Sequence, residues 1–126
     1  MNDEEFHREQ LGLLAAFAKT LKNTSELPGG ETLANLAAQF DELVQRPADV
    51  MDEAPALVSR LLTTAPQLAE YFPRDLLWYL GGECLHFMPD EEIDRFSALD
   101  QQRRDAVENA EAFDWPSARA NALGLQ

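Results

Sequence analysis

Between Arg74 and Met88 the chain carries its longest run of large apolar side chains, with a Gly81-Gly82 pair in the middle. Read as one continuous helix, this segment sets Asp75, Tyr79, Glu83 and His86 along a single stripe, at steps of four, four and three residues. Leu76, Leu77, Trp78, Leu80, Cys84, Phe87 and Met88 cover the rest, so such a helix needs neighbours on several sides. Each glycine inside a helix costs on the order of 1 kcal/mol relative to alanine. The pair therefore either admits a close neighbour or ends one helix at Gly81 and begins another turn at Glu83; a kinked or interrupted helix is the preferred reading. The run is too short and too often polar to span a bilayer, which takes about 20 apolar residues.

The rest of the chain reads as helix punctuated by proline. A first helix is expected from about Asp3 to Lys22, where Phe6, Leu13 or Leu14, Phe17 and Leu21 recur at helical spacing. Its acidic first turn and its Lys19 and Lys22 suit the helix dipole. Asn23 to Gly30 is a breaker rich in turn formers. A second amphipathic helix over Glu31 to Gln45 presents Leu33, Leu36, Ala37, Phe40, Leu43 and Val44, and Arg46-Pro47 closes it.

The third is expected to start at Asp52 or Glu53, because Pro55 is tolerated only in a first turn; Leu57, Val58, Leu61 and Leu62 form its buried face. Thr64 and Gln67 have the spacing of a capping box, opening a short helix through Leu68 and Tyr71 as far as Pro73. Pro89-Asp-Glu-Glu92 starts the last long helix, with Pro89 at its first position. One face of that helix runs through Ile93, Phe96, Leu99, Arg103, Ala106 or Val107, Ala110 and Phe113. Trp115-Pro116 ends or bends it, and Ser117 to Gln126 leave room for one more short turn. No strand-like alternation or internal repeat occurs.

With 126 residues, 45% of them hydrophobic, the chain suits one core that buries roughly two-thirds of its unfolded surface. The expectation is an all-α single domain over residues 1–126, a compact bundle or orthogonal array of five to six helices. The net charge of −13, from 23 acidic and 10 basic residues, argues against direct contact with nucleic-acid phosphates and against anionic membranes. It marks either a self-repelling surface or one aimed at a basic partner. An acidic N-terminus without a secretory pattern and a lone Cys84, which has no internal disulfide partner, point to the cytoplasm.

Three constellations bear on function. Both histidines follow a glutamate by three residues, Glu4 with His7 and Glu83 with His86, the spacing that builds di-iron sites in ferritin-like bundles; Glu42, Glu53 and Glu70 are candidate further ligands. Against this, Glu4 lies in a terminal turn and Glu42 and Glu53 near helix ends. Cys84 and His86 are two residues apart and diverge on a helix, so Cys84 reads as a buried apolar group rather than a nucleophile. Asp105, Glu108, Glu111 and Asp114 form an acidic ladder with no base before Ala118, a docking strip or simply a solvated face.

Acidic residues late in a helix oppose its dipole, so something besides helix stability favours Glu111 and Asp114. Trp78, Tyr79, Trp115, Tyr71 and Phe72 complete the aromatic set, and most of them read as core. Taken together, the residues point to a non-enzymatic protein that binds no cofactor and acts through protein contacts as a regulator, adaptor or subunit. Its partner is basic or a second copy in a homodimer, and Tyr79, Glu83, His86 and the acidic ladder are the candidate binding residues. The rivals are a metal-binding bundle and an acidic decoy of a nucleic-acid-binding protein.

Overall fold

In a computed structural model, residues 2–23 and 30–123 are described. Among them are six α-helices and no strand: α1 Asp3–Lys22, α2 Gly30–Val44, α3 Val50–Thr64, α4 Arg74–Leu80, α5 Asp90–Glu108 and α6 Trp115–Leu123. Short 3₁₀ segments at Pro47–Asp49, Pro66–Glu70 and Gly82–Phe87 join them. The fold is all-α, as the periodicity predicts. No helix among the described residues is long and apolar enough to cross a membrane. The breaker expected after Asn23 falls mostly on residues 24–29, and the chain end on 124–126; both lie outside the described residues.

Helix α1 begins where its sequence says it should. Asn2 caps it by accepting from the Glu5 backbone N–H at 2.8 Å, and Asp3, Glu4 and Glu5 fill its first turn. Its inner face is Phe6, Gln10, Leu14, Phe17, Ala18 and Leu21. Phe17 meets Phe40 of α2 and Phe72, the residue before Pro73, edge-on at 6.0 and 4.8 Å between ring centroids. α2 lies against both α1 and α3, and α3 also packs on the 3₁₀ segments Pro66–Glu70 and Gly82–Phe87. Leu36, Phe40, Leu61, Leu62, Leu76 and Leu77 are fully enclosed.

The central segment is interrupted, as the glycine pair suggests. Gly81 ends α4 at φ 65° and ψ −151°, a conformation that a side chain would oppose, and a 3₁₀ turn follows. That turn directs Cys84 inward, where its sulfur faces the Pro55 carbonyl at 3.9 Å, and leaves Glu83 and His86 exposed. The single polar stripe of a continuous helix therefore does not exist.

Other boundaries differ from expectation for identifiable reasons. α3 begins at Val50, entered through the 3₁₀ turn Pro47–Asp49, which puts Pro55 past the first turn. Met51, whose carbonyl loses the N–H that Pro55 lacks, lies at the surface. Thr64 is the last residue of α3 rather than a cap, and Pro66–Glu70 forms without a side-chain cap. Pro89 precedes α5 instead of opening it.

The largest departure is at the end of α5, which stops at Glu108. Ala110, at φ 55°, turns the chain, while its N–H reaches the Val107 carbonyl and the Glu111 N–H the Ala106 carbonyl at 3.2 and 2.8 Å. This is the glycine-type helix stop built on an alanine. Ala110→Gly removes a left-handed alanine that costs about 1–2 kcal/mol, partly offset by the entropy glycine adds to the unfolded chain. We expect a net gain of about 0.5–1 kcal/mol, read as a melting temperature higher by about 2–4 °C in calorimetry.

Candidate functional site

The polar groups of the molecule converge where the start of α1 meets α4, α5 and α6. Phe6 is the centre of this seam, 2% exposed. Tyr79 stands edge-on to it at 5.4 Å, Trp115 packs at 4.5 Å, and the Arg103 guanidinium lies over the ring at 4.5 Å. Arg103 occupies the inward face of α5, where periodicity places it, so its charge needs compensation. It donates to Asp3 at 2.6 Å and to Asp100 at 3.0 Å. Asp100 also takes Arg104 at 2.7 Å. These contacts tie the first turn of α1 to the middle of α5.

One turn into the other side of the seam, Asp75 is 8% exposed and sits in the first turn of α4. Its two carboxylate oxygens accept from Trp115 Nε1 at 2.9 Å and Arg119 Nε at 2.6 Å, both on α6. α6 is aimed by a cap: Asp114 accepts from the Ser117 backbone N–H at 3.3 Å and the Ser117 hydroxyl at 2.8 Å. A carboxylate that opposes the dipole of a lengthened α5 thus favours the dipole of the next helix.

The candidate residues disperse. Tyr79 is half-buried, hydrogen-bonded to Nδ1 of His7; burial raises its phenol above the ordinary tyrosine range, the nearby Arg103 charge working the other way. Glu83 and His86 are exposed on the 3₁₀ turn. Asp105 accepts from Gln101 at 2.9 Å on α5, Glu108 ends that helix, Glu111 lies in the turn and Asp114 is the cap, so the ladder is not one helical strip.

The metal alternative is not assembled either. Glu4 faces Arg8 at 3.7 Å, while Glu42 and Glu53 meet Arg46 at 3.7 and 2.7 Å. Asp49 joins that pairing at 2.7 Å, and Glu70 is exposed. Hydrogen bonds donated to Glu53 and Asp49 hold the Arg46 guanidinium strongly protonated. Among the described residues, no group of three or more His, Cys, Asp or Glu side chains could hold a metal ion.

Sequence reasoning missed Asp75, Trp115 and Arg119 as a unit. The available signal was an aspartate inside an apolar run, and a tryptophan and arginine four apart, which share a helix face. Removing one member of a buried, paired charge is costly. Asp75→Ala is expected to lower stability by about 2–4 kcal/mol in urea denaturation, with Trp115 fluorescence shifting to the red as α6 loosens.

Cys84 is wholly buried, and burial, helped by the neighbouring Glu83 charge, pushes its thiol from 9.0 up to about 12. The unfolded chain therefore releases this proton first on raising pH. The stabilisation is complete below about pH 9 and lost towards pH 12, at about 1.4 kcal/mol per pH unit. Melting temperatures should fall through that window and fall less steeply in Cys84→Ala, while iodoacetamide at neutral pH should modify Cys84 only on unfolding.

Neither a curated protein nor a solved structure matches the chain. A family model described as PA2817-like matches residues 1–126, and the chain belongs to that family.

Proposed function

We propose that this protein is a non-catalytic helical module of the cytoplasm that acts through protein contacts, as a regulator, adaptor or subunit, on a partner with a basic surface. The observation that carries the reading is where the cationic groups go. Arg103 and Arg104 turn to Asp100, Arg119 to Asp75, Arg74 to Glu92 and Arg46 to three carboxylates. Asp105, Glu108 and Glu111 stay exposed around the α5 stop, beside Val107, which is 39% exposed and offers an apolar contact. Such an edge favours encounter with positive charge.

The buried and protonated Cys84 supports a role without thiol chemistry. Asp3, near one end of the chain, pairs with Arg103, and Phe6 packs on Trp115, near the other; these contacts support a single domain over residues 1–126.

The test combines Asp105→Asn, Glu108→Gln and Glu111→Gln and spares Asp114, whose cap belongs to the fold. Losing negative charge at a helix C-terminus leaves the fold intact or slightly firmer. Tagged wild-type protein is expected to retain a partner in a salt-sensitive manner, and the variant to bind it at least about tenfold more weakly. Undiminished capture by the variant, or a turnover activity in the purified protein, would overturn the reading.

A further inference from the structure

Gly12 lies in the middle of α1 in ordinary helical conformation, where glycine is less favourable than alanine. Packing does not require it, since a Cβ built at this position meets nothing within 4 Å. The space above it is a groove of about 430 Å³ between α1 and α6. Leu13, 37% exposed, forms one apolar lip, and Trp115 and Pro116 form the other.

The polar groups at this groove are unevenly satisfied. Gln10, 2% exposed, lines the groove, and its amide Oε1 is buried without a hydrogen-bond partner among the described residues. A buried acceptor left in that state is unfavourable, and a ligand N–H would supply the donor it lacks. Arg119 gives only its Nε to Asp75 among the described residues, which leaves the two terminal nitrogens of its fork for another acceptor. Glu9 lines the same groove with an exposed carboxylate that has no cationic partner among the described residues.

Charge selects among ligands. Asp75 already faces Arg119, and the chain as a whole carries −13, so a simple anion is repelled. A simple cation would suit Glu9 but leave the Arg119 terminal nitrogens unmatched. A molecule bearing both charges and an apolar body matches every feature without net charge.

We infer that the groove binds an apolar α-amino acid as its zwitterion. The side chain lies over Gly12 between Leu13 and Trp115-Pro116, the carboxylate meets the terminal nitrogens of Arg119, and the ammonium meets Glu9 and the Gln10 amide. This assigns a small-molecule site that is independent of the acidic edge on α5 and of the partner proposed for it.

The experiment is calorimetric and NMR titration of the full chain with L-leucine, with 4-methylpentanoate, which lacks the ammonium, and with leucinamide, which lacks the carboxylate. Gly12→Leu is the matching variant. It fills the groove from within, replaces glycine by a good helix former and is expected to keep or raise the melting temperature. Saturable leucine binding, weakened at least about tenfold in either analogue and lost in the folded Gly12→Leu protein, is the expected result. No saturable binding of leucine at about 10 mM would overturn the assignment. Equal binding of the three compounds, or unchanged binding by Gly12→Leu, would overturn it as well.

Discussion

A carboxylate taken out of water has to be given donors, and Asp75 is where this chain meets that demand. Its donors come from Trp115 and Arg119, forty and forty-four residues later, so satisfying one side chain fixes the position of a whole helix. The nine-residue α6 has almost no amphipathic stripe of its own to hold it in place. Instead, Trp115 reaches into the core and lies against Phe6, and the Asp114 cap sets the angle at which α6 starts. The same tryptophan therefore supplies apolar burial and a directed N–H, which is why a short and weakly patterned helix can dock with a defined orientation.

The helices with one clear stripe were legible from residue spacing alone. α1 follows from Phe6, Phe17, Leu21 and the charges at its two ends; α2 follows from Leu33, Leu36, Phe40 and Leu43. Periodicity works there because one face is buried and the other solvated. The break at Gly81 was legible for a different reason, since two glycines in a helix interior oppose helix formation strongly enough to announce themselves.

The end of α5 was illegible because the residue that stops it is Ala110, a helix former with no punctuation value in a sequence. Only the hydrogen bonds that close back on Ala106 and Val107 identify the stop. The early start of α3 was hidden similarly, because Pro55 signals a first turn to any local rule while a 3₁₀ entry and an exposed Met51 relax that rule. Of the candidate site, Tyr79 was singled out for its position on the stripe with Asp75, Glu83 and His86, and it touches His7 and Phe6 instead. The pairing of Asp75 with Arg119, and the place of Gln10, went unseen because they lie in contacts across helices, which spacing along the chain does not encode.

The net charge and the seam are two sides of one distribution. A chain with few cations gains most by placing them where they neutralise carboxylates that packing has drawn inward, and Arg103, Arg119 and Arg74 occupy such places. Arg103 shows why the placement favours arginine. Its flat guanidinium covers the Phe6 ring while its edge donates to Asp3 and Asp100, a combination that a lysine ammonium, with three donors around a single point charge, does not reproduce. Each of these cations is matched by a carboxylate, so the excess negative charge at the surface reflects the 23 acidic against 10 basic residues of the chain. The interior is held by pairs that balance, while the α5 stop, with no basic residue between Asp105 and Ala118, keeps its carboxylates exposed and uncompensated along that stretch.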